Sequence, residues 1–353
     1  MDWDTLCFNT ATFIAGIFIL DYGADKFLDH TVIVGRRLRI SPTLIALLTA
    51  GAEYEELTVV IAAILQHRSP LALGNVLGAT ISNILGAFSL GLLCHASGVP
   101  FDRSAKIYSV LLLLITTLFV ALAFFNQLNR VTGGILIAIF TIYIICTGYA
   151  IYKGVADPPE MSDSDSDSDT DGDIPTADSR PVSEVSPLLG ENAKPHPSQP
   201  LSLHHHIFHL VIGLLALSLS GYILAHSAAS IADSLQLSDT VFGLTVIAFA
   251  TTLPEKLISV MSGLRGQGGI VVATTAGSNI FLLTLCVGVV AVAGGLRNQA
   301  DGDNFVLFEL FMVWVSAVGF TGVVFLGPSR GAGLVLLAGY IVFLGLEVTV
   351  YRR

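Results

Sequence analysis

Charge is what this sequence has least of. Lys, Arg, Asp and Glu make up 12% of its 353 residues, about half the share usual in a soluble domain. Against that scarcity, 53% of the residues are hydrophobic and the mean hydropathy is +0.75. A soluble core of this length cannot hide so much apolar surface, so the chain is expected to be solvated largely by lipid. It has no basic face either, which leaves nucleic-acid binding without support. Cysteine is sparse: Cys7, Cys94, Cys146 and Cys286 lie far apart with no CxxC. That argues against thiol redox or thiolate metal chemistry and for four small core residues. The opening MDWDTLCFNT carries acids but no Lys or Arg, so no cleavable signal peptide is expected.

What is abundant is the long apolar run. Ten runs are long enough to cross a bilayer, which takes about 20 residues of helix. They lie at about 10–34, 41–65, 71–97, 107–125 and 131–152, and, after a polar break at 153–203, at about 206–232, 240–264, 270–294, 305–326 and 331–351. If the break faces the cytosol, cytosolic loops hold ten Lys and Arg and the other side five. That bias places both termini on the non-cytosolic side. The break is Ser-, Asp- and Pro-rich, including SDSDSDSDTDGD, and holds most of the net charge of −10. Such a composition cannot bury enough surface to fold, so it reads as a disordered linker. Its Ser-Asp alternation suits an acid-directed kinase; a plain solubilising spacer is the alternative. EVSPLL, Glu184 to Leu189, has the spacing of an adaptor-read sorting signal for vacuolar, lysosomal or endosomal membranes.

The two groups of five repeat each other. A shift of 199 residues sets Glu56 on Glu255, Leu57 on Lys256, Gly78 on Gly277 and Ile81 on Ile280, and a shift of 197 sets Ala24 on Gly221. Five is odd, so duplication turns the second unit upside down in the membrane, a plan that recurs in secondary transporters. The expected architecture is therefore an all-α multi-pass protein of ten transmembrane helices in two inverted repeats. These occupy 1–152 and 204–353, with motif regions at about 41–97 and 240–294. Sites in this plan lie near the midplane on interrupted helices. Ala50-Gly51 and Thr251-Thr252-Leu253-Pro254 supply interruptions, and Pro254 frees carbonyls by removing a donor and crowding the preceding turn.

The chemistry to explain is GAEYEELTVV at 51–60, three glutamates inside an apolar run. A carboxylate at the bilayer centre costs roughly 2.5–3 kcal/mol or more, so intramembrane acids usually have a function. Glu56 and Glu255 occupy equivalent midspan positions and can offer paired oxygens to a divalent cation such as Ca2+. Asn83, Thr251, Thr252, Ser278 and Asn279 add neutral oxygens nearby. The bland alternative, Glu255 paired with Lys256, is geometrically poor because adjacent helix residues diverge by about 100°. Glu53 shares a face with Glu56 and is a second candidate ligand or proton carrier. Glu55 points elsewhere, to a cavity mouth or a structural partner, and Asp21 and Asp25 either do likewise or cap a helix. His204, His205, His206 and His209 read as solvated interface residues rather than a metal site, because no acid or Cys joins them at ligand spacing.

These residues resemble the calcium/cation antiporter superfamily, especially its sodium/calcium exchanger branch. The second repeat reads ATTLPE at 250–255 and GSN at 277–279. The first reads GAEYEE at 51–56, GAT at 78–80 and Ser82-Asn83, with GAD at 23–25 and ISP at 40–42 also similar. The resemblance implies a non-enzymatic antiporter with no cofactor. It would carry Ca2+ against Na+ or H+ across a lipid bilayer by alternating access. Glu56 and Glu255 would be its central metal ligands, with Asn83, Thr251, Thr252 and Ser278 as neutral ligands. Four positions depart from the pattern: Ala52-Glu53 replaces a Thr-Ser pair, Ala79 a serine, and Leu282 an acid or amide. Fewer neutral oxygens and one more carboxylate favour H+ as counter-ion and, with the sorting signal, a vacuolar or endosomal exchanger. The alternatives are a plasma-membrane Na+/Ca2+ or K+-linked exchanger and a non-transporting sensor. An intramembrane metalloenzyme is a further alternative, but only His67 and His95 lie near the acidic spans, at their ends.

Overall fold

The computed structural model describes residues 3–38, 53–94, 101, 103–153, 203–294 and 307–350. All regular structure among them is helical, as expected where no water reaches the backbone and each N–H and C=O must be satisfied within its own helix. Before the linker lie α1 (Trp3–Arg37), α2 (Tyr54–Leu65), α3 (Ser69–Cys94), α4 (Arg103–Phe124) and α5 (Arg130–Tyr152). After it come α6 (Leu203–Leu235), α7 (Asp239–Thr251), α8 (Leu253–Leu264), α9 (Gly268–Ala293), α10 (Leu307–Leu326) and α11 (Arg330–Thr349). Eight described helices are long and apolar enough to cross a membrane, or nine when α7 and α8 count as one bent span. The missing tenth is the expected second span, whose first half at 41–52 lies outside the described residues. So do the expected Ala50-Gly51 interruption, the ISP segment, His95, the Ser-Asp run and Glu184–Leu189.

The expected interruption of the seventh span is present. α7 and α8 meet at Thr252 with a bend of 47°, because Pro254 at the second position of α8 cannot donate back into α7. Helix bounds also recur at one offset. α2 spans 54–65 and α8 spans 253–264; α3 spans 69–94 and α9 spans 268–293. Each pair is displaced by 199 residues. α3 and α9 also each carry a π-helical stretch near the middle, at Ser82–Phe88 and Leu282–Cys286.

Along their most apolar stretches α3 and α9 are 89% and 78% buried, and the other spanning helices 11–44%. The first two therefore form the centre, and the rest turn large side chains such as Phe18, Leu114, Ile145 and Val335 outwards. Helices from the two sides of the linker pack on each other: α1 on α6, α4 on α10, α5 on α9, and α3 on both α7 and α11. The α3–α7 crossing is close because it is made of glycine. A Cβ at Gly74 would stand 2.3 Å from the Thr240 carbonyl oxygen, and one at Gly78 2.2 Å from that of Leu244. Without a hydrophobic drive between helices in lipid, such small-residue seams let dispersion hold them together. At one end, Arg68 in the α2–α3 turn bridges Asp233 of α6 at 2.8 Å and Asp239 of α7 at 3.1 Å. Of the cysteines, Cys286 is buried, but Cys7 and Cys146 are exposed, so the core reading fails for those two.

Candidate functional site

Glu53 immediately precedes α2, and Glu56 lies in that helix's first turn; Glu255 lies in the first turn of α8. A helix start leaves backbone N–H groups unpaired and carries the positive end of the macrodipole, the favourable end for a carboxylate. The packing then brings the three together: one carboxylate oxygen from each of Glu53, Glu56 and Glu255 lies within 4.8 Å of the other two. Glu53 and Glu56 are buried. Neither oxygen of Glu56 has a hydrogen-bond partner, nor does Oε2 of Glu255. Three carboxylates at this separation, two of them shielded from water and Glu255 half-buried, repel one another unless positive charge comes among them.

A cavity of about 200 Å³ opens beside them. Asp21 and Asp25 of α1, Glu53, Glu55, Glu255, Thr274 and Ser278 supply its polar wall, with Ala24, Leu28, Tyr54, Pro254 and Ile258 the remainder. Glu55 thus reaches a cavity mouth, one of the two roles expected of it, and Asp21 and Asp25 stand on the same wall rather than capping a helix. Their signs add to a negative approach that would concentrate cations.

The neutral candidates divide. Ser278 lines the cavity. Asn83 and Asn279 are buried, and neither amide has a hydrogen-bond partner. Thr251 and Thr252 do not line the cavity; their hydroxyls donate back to the carbonyls of Ile247 at 3.2 Å and Ala248 at 2.6 Å. That leaves lone pairs, not a proton, on Thr251 for any ligand, whereas Thr252 Oγ1 is also engaged by Lys256 Nζ and Ser82. Lys256 does not pair with Glu255, as the helix geometry required. Its Nζ turns to Ser82 Oγ at 2.8 Å and to the Thr252 carbonyl at 3.0 Å. The reading of the histidines as solvated fails for His206, which is buried; its Nδ1 lies 3.1 Å from Nδ1 of His30 on α1.

Some polar residues escaped the sequence reading. Thr274 and Tyr54 sit on the cavity wall, and Asn75 is fully buried with an unpartnered amide. Glu309 and Glu347, in α10 and α11, are also fully buried. The signal that singled out Glu56, an acid inside an apolar run, was present for these two as well, but they have no counterpart in a repeat motif.

Comparison with known proteins gives this arrangement a family. A family model described as sodium/calcium exchanger protein matches residues 8–148 and 205–348. The chain belongs to the sodium/calcium exchanger family. It is a multi-pass integral membrane protein. A relative bearing the name antiporter CaxA, from Alkalimonas amylolytica, is 29% identical over 299 residues, covering 83% of this chain and 84% of that one. The sodium/calcium exchanger MaX1 of Methanosarcina acetivorans is 26% identical over 365 residues, covering 95% and 97%. A solved structure of the sodium-calcium exchanger NCX_Mj, soaked with Na+ and Sr2+, superposes with a TM-score of 0.56 at 20% identity, over 96% of this chain and 99% of that one. At that identity the likeness is one of fold. The family match leaves 149–204 uncovered, which is the linker with a few residues of the flanking helices.

Proposed function

We propose that this family member exchanges Ca2+, or a similar divalent cation, for protons by alternating access, with Glu56 and Glu255 as central ligands and Glu53 as the third carboxylate. The observation that carries the reading is the meeting of Glu53, Glu56 and Glu255 within 4.8 Å, the first two buried and the third half-buried on the cavity wall, with no salt bridge to any of them among the described residues. A hard divalent cation takes six to eight oxygens. The three carboxylates can supply up to six, with Ser278 on the cavity wall and the buried, unpartnered amides of Asn83 and Asn279 as neutral candidates. When the metal leaves, the same oxygens still need positive charge, and protons supply it with no further ligands. Glu53, standing where the family motif has a hydroxyl, is the residue that adds this capacity. The shared 199-residue offset of α2 with α8 and of α3 with α9 supports two equivalent five-span units, 1–152 and 204–353. Joined by a cytosolic linker at 153–203, they would be related by inversion. A second reading, Na+ as counter-ion, has the name of the MaX1 relative in its favour.

Proteoliposomes holding the full chain decide between them. With gradients of H+, Na+ and K+ imposed one at a time, 45Ca2+ uptake is expected to follow ΔpH in the absence of Na+. Uptake that requires Na+ and ignores ΔpH sinks the proton reading. For location, we infer a vacuolar or endosomal membrane from Glu184–Leu189. Changing Leu188 and Leu189 to Ala is expected to move a fluorescently tagged protein to the cell surface, and an unchanged distribution refutes the signal.

A further inference from the structure

A lysine is costly inside a membrane and needs partners. Lys256 is 7% exposed and follows Glu255 directly in α8. An ammonium has three N–H donors and no acceptor. Here all three find oxygen: Ser82 Oγ at 2.8 Å, the Thr252 carbonyl at 3.0 Å and Thr252 Oγ1 at 2.5 Å. The ring of Phe249 lies 4.8 Å from the charge, close enough for a cation–π contribution. The oxygens are themselves held in place. The Tyr340 hydroxyl reaches Ser82 Oγ at 3.0 Å. Ser82 and Thr252 hydroxyls are 2.8 Å apart, and Thr252 donates to the Ala248 carbonyl. With Lys256 and Tyr340 both donating to Ser82, its own proton goes to Thr252, so the orientation of every hydroxyl in the group follows. Gly86 leaves room for the lysine stem: a Cβ there would stand 3.3 Å from Lys256 Cε.

A preset cluster of oxygens contributed by both halves of the chain is more than a tether requires. Ser82 comes from α3 before the linker; Thr252 sits at the α7–α8 break after it. All three oxygens turn their lone pairs to the ammonium, and without its charge the same lone pairs would be open to a monovalent metal ion. We propose that Lys256 is a resident cation. It fills permanently an oxygen site that would otherwise accept Na+ or a similar monovalent ion, and so determines which counter-ions the transporter can use. The inference rests on the reading of Glu53, Glu56 and Glu255 as the transport site, since only beside such a site does a fixed positive charge bear on ion choice. It accounts for a Lys at a position whose counterpart in the first repeat is the apolar Leu57. It also explains why Thr252, a ligand candidate by its motif, faces an amine rather than the cavity.

The test compares wild type, K256M and K256Q as purified full-length chains, in NaCl against choline chloride. Wild type is expected to show the same melting temperature in both. In the variants Na+ enters the vacated oxygens and raises the melting temperature by about 2–5 °C. Na+ gradients then stimulate their 45Ca2+ uptake, whereas they leave that of wild type unchanged. Variants that respond to Na+ no more than wild type overturn the proposal and leave Lys256 as a structural tie. If neither variant yields folded protein, wild type still decides: stabilisation by Na+ over choline would show the site open with the lysine in place, and the proposal falls. Ca2+-induced stabilisation, read in the same samples, separates this failure from that of the transport site. It persists in K256M when only the lysine proposal is wrong, and is absent even from wild type when the acidic cluster is not the Ca2+ site.

Discussion

Glu255→Gln is expected to reduce Ca2+ transport by about a hundredfold or more, and Glu56→Gln by as much. One charge about 4 Å from a divalent ion contributes several kcal/mol even at an effective dielectric constant near 20, and each 1.4 kcal/mol is a tenfold change in affinity. The two residues hold equivalent places, each in the first turn of a 12-residue helix, so neither should compensate for the other. A second measurement separates loss of function from loss of fold. In Ca2+-free buffer the Gln variants are expected to melt at the same temperature as wild type or higher, because one of three crowded carboxylates has been neutralised. The Ca2+-induced rise in melting temperature should vanish. Asp21→Asn and Asp25→Asn, on the cavity wall but exposed, should cost tenfold or less by the weakness of solvated charges. Transport by Glu255→Gln at the wild-type rate would remove Glu255 from the site.

Gly78→Ala is expected to be the most damaging single-methyl change in the described structure. The added Cβ would stand 2.2 Å from the Leu244 carbonyl oxygen and 2.6 Å from Ala248 Cβ. Neither neighbour is a flexible tip, so α3 must move away from α7. Overpacking of this kind costs about 1–3 kcal/mol and occasionally more, and here it opens the crossing that positions the α7–α8 break. The expected outcome is a large loss of monodisperse protein and a melting temperature lowered by several degrees, read by size exclusion and thermal unfolding in detergent. Gly134→Ala is the control. Nothing lies within 4 Å of a Cβ there, and alanine gains helix propensity over glycine by up to about 1 kcal/mol, so stability should hold or rise. Equal behaviour of the two variants would show that the seam does not limit stability.

Much of this was legible in one dimension, for a physical reason. Lipid imposes a length and a polarity on each spanning helix, so spans can be counted from composition. A carboxylate in such a span stands out because it is expensive, which is how Glu53, Glu56 and Glu255 were found. Pro254 and the repeat shift together located the break at Thr252. Residues whose polarity is satisfied locally were harder to judge. Thr251 and Thr252 look like ligands by motif, yet each spends its proton on a carbonyl one turn back, an option open to any Thr in a helix. His206 read as solvated because its partner, His30, is 176 residues away.

The sequence by itself determined that the chain lies in a membrane, that it is helical, that a 199-residue shift sets Glu56 on Glu255 and that three acids need explaining, since each follows from local polarity and spacing. Only the tertiary structure decided which oxygens meet. It gathered Glu53, Glu56 and Glu255, placed Glu55 and Asp21 on a shared cavity wall, and turned Lys256 from its neighbour Glu255 towards Ser82, 174 residues away. Those outcomes depend on glycine-limited crossings such as that of α3 with α7. There the approach of two backbones is set by an absent side chain, and no local pattern reveals which helix will fill the space.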